Sequence, residues 1–258
     1  MKRKELKMNS FMAWIGGKKL LREKICNEFP KEYEKYVEVF GGAGWVLFNQ
    51  ERPGKTEIYN DYNSELVNLF RCMKYHQEEL KRQLSYLLNS RELFQDFMEQ
   101  YKVRGLTDIQ KAVRFFMILK TSYGAKMTVY GCVKRNVENM TGMFEEIQKR
   151  LNTVVIENLD FERLIKIQDK ESTFFYLDPP YFGTEKYYKN VDFTKEDHER
   201  LYNTVKNIKG KFLISYNDCE YIRELYKDFN IEEVTRFSNL TAALEEKKEY
   251  KEILIKNY

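Results

Sequence analysis

Short apolar runs alternate with amphipathic stretches along most of the chain. Apolar runs bounded by polar residues predict strands at 36–40, 57–59, 153–156, 174–177 and 211–216, with two more at 231–236 and 251–256. Residues 63–88 instead repeat apolar side chains at helical spacing, and Thr194 has the position of an N-cap before another helical stripe. Strands that alternate with helices predict an α/β fold with a mostly parallel sheet, whose last two strands form an antiparallel edge.

The segment 64–152 interrupts this alternation. It is mainly helical in pattern and interleaves aromatic side chains with basic ones, which are Lys102, Arg104, Lys111, Arg114, Lys120, Lys126, Lys134 and Arg135. We interpret it as an insertion into a domain that 1–63 and 153–258 form together. The alternative for such a charged segment is a solvated helical subdomain that binds nothing.

Composition narrows the class of protein. The length of 258 residues suffices for one α/β domain with a smaller insertion, and 44 basic residues nearly balance 40 acidic ones, so the net charge of +4 does not by itself indicate nucleic acid. Four scattered cysteines and two histidines form no CxxC or Cys/His cluster, which disfavours a zinc site or disulfide framework and fits a reducing cytoplasm. No apolar run approaches the roughly 20 residues of a membrane span.

A glycine-rich turn follows the first predicted strand, and a short helix is expected after it at 45–50. Such a turn lets a ligand approach the backbone, and its members are Phe40, Gly41, Gly42 and Gly44. Asp61 ends the next strand, where a carboxylate can accept hydrogen bonds from ribose hydroxyls. The alternative role is a helix cap, which Asn63 can also provide. Together these features indicate a nucleoside cofactor, and the absence of GxGxxG spacing disfavours NAD.

A later apolar run ends in Asp178-Pro179-Pro180-Tyr181. The prolines fix φ and remove two N–H donors, so an Asp178 oxygen and the Pro179 carbonyl can both accept from one –NH₂ group. Two acceptors favour a pyramidal nitrogen, whose exposed lone pair can attack a sulfonium methyl group in line. Tyr181 offers a face on which a flipped base can stack. The alternative is a Pro-Pro turn that simply ends a strand.

These motifs together resemble the Dam-like (D12 class) DNA adenine-N6 methyltransferases over nearly the whole chain. The matching segments are FMAWIGGK at 11–18, FGGAG at 40–44 with VLFN at 46–49, NDYN at 60–63, DPPY at 178–181 and LISYND at 213–218. The resemblance implies a Rossmann-like class I S-adenosylmethionine-dependent methyltransferase sheet with an inserted, mainly helical target-recognition domain at 64–152.

The resemblance also implies roles for individual residues. The catalytic set would be Asp178, Pro179, Pro180 and Tyr181. The cofactor S-adenosylmethionine would be bound by Trp14, Gly17, Lys18, Phe40, Gly41, Gly42, Gly44, Asp61, Asp160, Phe161 and Asp178. Within that set Lys18 would pair with the cofactor's carboxylate and Asp160 would border its adenine ring, with a helix N-cap as the alternative for Asp160. DNA would be contacted by Lys120, Tyr123, Lys126, Tyr130, Lys134, Arg135 and Asn136.

The resulting prediction is a site-specific DNA methyltransferase that acts on adenine N6 in a short duplex sequence, with the base flipped into the Asp178–Tyr181 pocket. Family analogy suggests GATC as the sequence, and restriction–modification is one setting for such an enzyme. We expect double-stranded DNA as partner, no metal, no membrane, a monomer in solution and a cytoplasmic location. Alternatives stay open at this point: methylation of cytosine N4, a target in RNA or a protein side-chain amide, and a non-catalytic DNA-binding protein on the same fold.

Overall fold

The structure, a computed structural model, describes residues 7–50, 54–101, 103–132, 136–183, 193–237 and 249–258. Its strands are β1 Lys35–Glu38, β2 Thr56–Asn60, β3 Val154–Glu157, β4 Thr173–Leu177, β5 Lys211–Asn217, β6 Asn230–Phe237 and β7 Glu249–Lys256. They form one sheet in the order β3-β2-β1-β4-β5-β7-β6. Strands β1 to β5 pair in parallel, whereas β7 lies antiparallel between β5 and β6. The predicted Rossmann-like α/β sheet with an antiparallel edge is confirmed.

The helices follow the predicted alternation, with most of them between β2 and β3. They are α1 Arg22–Asn27, α2 Ser64–Tyr75, α3 Gln77–Ser85, α4 Arg91–Gln100, α5 Asp108–Thr121, α6 Val137–Thr141, α7 Phe144–Leu151, α8 Phe161–Gln168, α9 Lys195–Val205 and α10 Glu220–Leu225. Thr194 caps α9 as predicted, and its N–H donates to the Asp197 carboxylate at 2.9 Å. The stripe over 63–88 is divided between α2 and α3, because His76 leaves helical geometry at φ −135 and ψ 33.

The helix expected over 45–50 is wrong in extent. The chain forms a single 3-10 turn, Leu47–Asn49, and returns to extended backbone at Gln50. The Leu47 carbonyl accepts a hydrogen bond from the Arg150 side chain at 3.0 Å. A long-range donor therefore satisfies a backbone group that a longer helix would have satisfied locally.

Two apolar clusters cover the two faces of the sheet. One joins Tyr36 and Phe174 to Phe70 of α2 and Phe116 of α5. The other joins Val37 and further strand residues to α8, α9 and α10. Successive strand side chains point to opposite faces, which explains why neighbours in β1 belong to different clusters. The segment 64–152 therefore packs on one face of the sheet, and its role in target recognition stays a prediction. Among the described helices, none is both long and apolar enough to cross a bilayer.

Candidate active site

A cleft of about 690 Å³ opens at the carboxyl ends of β1, β2 and β4. The strand order reverses between β1 and β4, so the loops that follow them leave toward opposite faces and create a crevice. The structure brings most of the predicted catalytic and cofactor-binding residues to this cleft, and its walls include Trp14, Gly17, Lys18, Phe40, Gly41, Gly42, Asp61, Asp178 and Pro180. Gly44 instead turns the chain with φ +68 and approaches the Phe48 ring behind the loop.

The glycine loop packs tightly against β2. The Gly41 N–H donates to the Asn60 carbonyl at 2.7 Å, and a Cβ on Gly41 would lie 2.2 Å from the Tyr59 ring. Gly42 has φ +50, where side chains are strained, and a Cβ there would press on the Trp14 ring at 3.0 Å. The loop therefore needs glycine for its own packing, and it leaves bare backbone along the cleft wall.

Asp61 is fixed by backbone donors. The Gly42 N–H donates to Oδ2 at 2.9 Å, and the Asn63 N–H donates to Oδ1 at 2.8 Å. Burial raises the pKa of Asp61, while these hydrogen bonds lower it. Asn63, rather than Asp61, caps α2 by accepting from the N–H groups of the first turn. The cap and the cleft carboxylate are therefore two different residues.

Asp178 is held by two donors on the same oxygen. Lys18 Nζ lies 2.7 Å from Oδ1, and the Ser215 hydroxyl donates to Oδ1 at 2.9 Å. In the described part of the chain, no hydrogen bond occupies Oδ2. Burial raises the pKa of Asp178, and the Lys18 ammonium opposes this rise. Lys18 also donates to the Gly16 carbonyl at 3.0 Å, so its pairing with the cofactor's carboxylate stays a prediction.

Tyr181 directly follows Pro180, which lines the cleft. Lys18 Nζ lies 4.5 Å from the centroid of the Tyr181 ring, and the Tyr181 hydroxyl donates to Glu252 of β7. Burial, together with the Asp178 and Glu252 charges, raises the pKa of Tyr181 well above its usual value. The hydroxyl therefore remains protonated and acts as a donor at neutral pH. Pro179 and Pro180, both buried, connect this ring to Asp178 without flexible side chains.

Glu38 is a cleft residue that the sequence analysis missed. It ends β1, is 2% exposed, and accepts a hydrogen bond from the Tyr36 hydroxyl at 2.7 Å. Burial raises the pKa of Glu38 to about 8, although the Tyr36 hydroxyl opposes the rise. The available signal was an acidic residue within an otherwise apolar strand. Such a residue carries a large desolvation cost, which marks it as a candidate for function.

Asp160 and Phe161 line a neighbouring cleft of about 660 Å³, which shares Phe40 and Tyr62 with the first. Asp160 caps α8, which confirms the helix-cap alternative, and its carboxylate also pairs with Arg200 at 3.0 Å. Its place beside an adenine ring stays a prediction. Tyr62, 59% exposed, was not anticipated, although it directly follows Asp61. In the described ranges, no group of His, Cys, Asp or Glu side chains is arranged to hold a metal ion.

Three of the predicted DNA contacts, Tyr123, Lys126 and Tyr130, lie in the loop that follows α5. The Tyr123 N–H donates to the Val129 carbonyl at 2.8 Å, and Ser122 forms an antiparallel bridge with Tyr130, so 122–130 closes as a loop. Tyr123 and Lys126 are exposed on this loop. Lys120, in the last turn of α5, precedes them.

Two further predicted contacts have partners within the protein. The Tyr130 hydroxyl donates to the Asn89 side chain at 3.0 Å. Asn136 caps α6, and its side chain accepts from the Asn139 N–H at 2.8 Å. Their roles toward DNA stay predictions. The remaining predicted contacts lie outside the described residues, and they are Lys134 and Arg135.

Comparison with known proteins relates the chain to named methyltransferases. Residues 14–240 match the family described as D12 class N6 adenine-specific DNA methyltransferase. The chain is 29% identical to the type II methyltransferase M1.LlaDCHI of Lactococcus lactis subsp. cremoris, over 100% of this chain and 98% of that protein. It is 29% identical to the type II methyltransferase M.MjaIII of Methanocaldococcus jannaschii, over 98% of this chain and 100% of that protein. It is 25% identical to the DNA adenine methylase of Escherichia coli K12, over 86% of this chain and 85% of that protein.

Proposed function

Because this chain belongs to the D12 class N6 adenine-specific DNA methyltransferase family, which matches residues 14–240, we propose that it methylates adenine within a short duplex sequence after flipping the base toward Asp178. It is an S-adenosylmethionine-dependent enzyme of DNA adenine methylation with a Rossmann-like class I sheet. The family assignment favours this activity over cytosine N4 methylation and over a non-catalytic DNA-binding role. We further propose that it acts as a monomer in the cytoplasm, and that GATC is the first sequence to test.

The residues of the cleft fit the cofactor. Asp61 presents a carboxylate fixed by backbone donors, which suits ribose hydroxyls, and Gly41 and Gly42 leave bare backbone beside it. Glu38 and Asp178 add carboxyl oxygens to the same wall, which can accept hydrogen bonds from a bound ligand. When bound, S-adenosylmethionine supplies a methyl group on a positively charged sulfur. We propose that these side chains orient it toward Asp178.

The orientation of Asp178 is the observation that carries the proposal. Lys18 and Ser215 both hold Oδ1, so Oδ2 is the oxygen that would accept one proton of the N6 amine. The Pro179 carbonyl would accept the other proton. These two acceptors would draw the amine toward a pyramidal geometry and expose its lone pair. Asp178 Oδ2 would then take the proton that N6 loses once it carries the methyl group.

The adenine amine must also reach Asp178, which requires the base to flip out of the duplex. An adenine inside a duplex is stacked, and its amine cannot reach a recessed carboxylate. Tyr181 would provide the stacking face for the extruded base, since its ring borders Asp178 and is held by contacts with Lys18 and Glu252. The exposed loop that carries Tyr123 and Lys126 would contact the DNA backbone.

Replacement of Asp178 tests the proposal. We expect Asp178→Ala to lower transfer of labelled methyl groups to duplex DNA by at least about 100-fold, because it removes an acceptor that acts on the reacting amine. DNA affinity should stay within about 3-fold, since phosphate contacts elsewhere dominate it. Asp228→Ala, at an exposed carboxylate outside the cleft, is the matched control and should keep wild-type rates.

Sequencing the methylated DNA with modified-base detection gives the base and the recognised sequence in one experiment. Label on adenine within one short sequence is the expected result. A wild-type protein that labels no DNA would overturn the proposed function, and label on cytosine would overturn the choice of base. Methylation outside GATC would change the proposed sequence alone.

A further inference from the structure

Glu252 is a buried carboxylate on the antiparallel edge of the sheet. It lies on β7, where it pairs with Asn217 of β5 and Val234 of β6, and it is 2% exposed. The next three residues of β7 are buried and apolar. A carboxylate at such a position carries a desolvation cost that an apolar residue would not. The charge therefore needs a reason beyond packing of the sheet.

The contacts of Glu252 supply that reason. The Tyr181 hydroxyl donates to Oε2 of Glu252, and Lys18 Nζ lies 4.0 Å from the same oxygen. The Lys18 ammonium also lies 2.7 Å from Asp178 and 4.5 Å from the centroid of the Tyr181 ring. Glu252 thus reaches, from a strand that lies between β5 and the edge strand β6, the two side chains that flank the Asp178 carboxylate.

A tyrosine ring without an anchored hydroxyl has freedom about χ1 and χ2. The bond to Glu252 fixes the far end of the Tyr181 ring, and the two prolines before Tyr181 have fixed φ. A stacking face is useful to a reacting base only if the face is already oriented, because disorder there misplaces the amine relative to Asp178. Burial and the neighbouring charges keep the hydroxyl protonated, so that it can donate.

We propose that Glu252 is a positioning residue for methyl transfer, which holds the Tyr181 ring in its stacking orientation through the ring hydroxyl. This inference rests on the function proposed above. Glu252 does not touch the reacting atoms in this arrangement, and it acts through its hydrogen bond with Tyr181. Its effect should therefore appear in the rate of the chemical step and not in affinity for the cofactor.

A double-mutant cycle tests the role. Glu252→Met removes the acceptor but fills the space, Glu252→Gln keeps an acceptor oxygen, and Tyr181→Phe removes the donor. At saturating cofactor and DNA, we expect Glu252→Met to lower the single-turnover rate about 10-fold or more, with the KM for S-adenosylmethionine within about 3-fold. Glu252→Gln should keep the rate within about 3-fold of wild type. In the Tyr181→Phe background, Glu252→Met should cost less than about 3-fold further.

The controls separate this role from general stability. Glu233→Gln changes a largely exposed carboxylate on the adjoining strand β6 and should leave the rate unchanged. Thermal unfolding establishes that each variant is folded at the assay temperature. An additive cycle, a wild-type rate in Glu252→Met, or an equal loss in Glu233→Gln would each overturn the positioning role. A wild-type enzyme that methylates no DNA would instead overturn the proposed function itself.

Discussion

Ser215→Ala tests how far the rate depends on the orientation of Asp178. Ser215 is fully buried on β5, and its hydroxyl lies 2.9 Å from Asp178 Oδ1 and 3.1 Å from the Tyr176 hydroxyl. Alanine removes both contacts but retains the backbone pairing of β5 and the ion pair between Lys18 and Asp178. The variant therefore loosens the carboxylate and leaves its charge in place.

The expected loss in rate of Ser215→Ala follows from the hydrogen bonds that the variant lacks. A hydrogen bond to a charged group contributes about 1.5–3 kcal/mol, which corresponds to about 10-fold to 100-fold in rate if the transition state feels all of it. Lys18 continues to hold Oδ1 at 2.7 Å. We therefore expect the lower limit, a loss of about 10-fold in the single-turnover rate. The Ser215 hydrogen bond also lowers the pKa of Asp178, so its removal should shift the acid limb of the rate profile to higher pH.

The assay is single-turnover transfer of labelled methyl groups to saturating duplex DNA, measured across pH. Thr121→Val is the matched control, because it removes another buried hydroxyl, one that donates to the Met117 carbonyl within α5. It should leave both the rate and its acid limb unchanged. A folded Ser215→Ala enzyme with the wild-type rate and the wild-type acid limb would show that the rate does not depend on this hydrogen bond to Asp178.

Two further predictions concern stability. Burial raises the pKa of Glu38 from 4.5 to about 8. The free energy of unfolding should therefore fall as pH rises between these two values. The slope that Glu38 contributes should approach about 1.4 kcal/mol per pH unit. Urea titrations should show a flatter pH dependence for Glu38→Gln, and equal slopes would contradict the prediction. Arg150 binds Glu57 through both terminal nitrogens, at 2.6 and 2.7 Å, and both side chains are buried. Arg150→Met should therefore cost about 3–5 kcal/mol in urea denaturation, and the added change Glu57→Gln should recover part of that loss because it removes the unpaired charge.

The strands and the position of the tetrapeptide Asp178–Tyr181 at the end of one of them were predictable from local pattern. The apolar run predicted at 174–177 is strand β4, Thr173–Leu177, because a strand buried on both faces needs continuous apolar residues whatever its neighbours are. The tetrapeptide that follows is conspicuous because proline is scarce, with four in the chain. Glycines at 41 and 42 were equally visible, since close backbone packing leaves few other residues possible.

The ends of helices, and the roles of residues that have more than one partner, were harder to predict. Residues distant in the sequence determine both. Helical periodicity continues past His76, yet the backbone breaks there. The 3-10 turn Leu47–Asn49 after the glycine loop does not extend into a longer helix. The Leu47 carbonyl instead accepts a hydrogen bond from Arg150, which is 103 residues away. Asp160 was compatible with a helix cap and with a cofactor contact, and its ion pair with Arg200 of α9 was not visible in the local sequence.

Local sequence pattern was enough to pick out three segments that meet at the cleft, namely Asp61, Asp178 and the glycines between β1 and the 3-10 turn. The surroundings of Asp178 depend on how the strands are ordered in the sheet. Ser215 lies 37 residues beyond Asp178, in the matching segment 213–218, to which the sequence analysis gave no role at the site. Glu252 lies 71 residues beyond Tyr181 and outside every matching segment. They reach the site because β5 pairs beside β4 and β7 turns back antiparallel beside β5. The physical reason is that periodicity reports which face a side chain occupies, whereas strand order decides which side chains share that face.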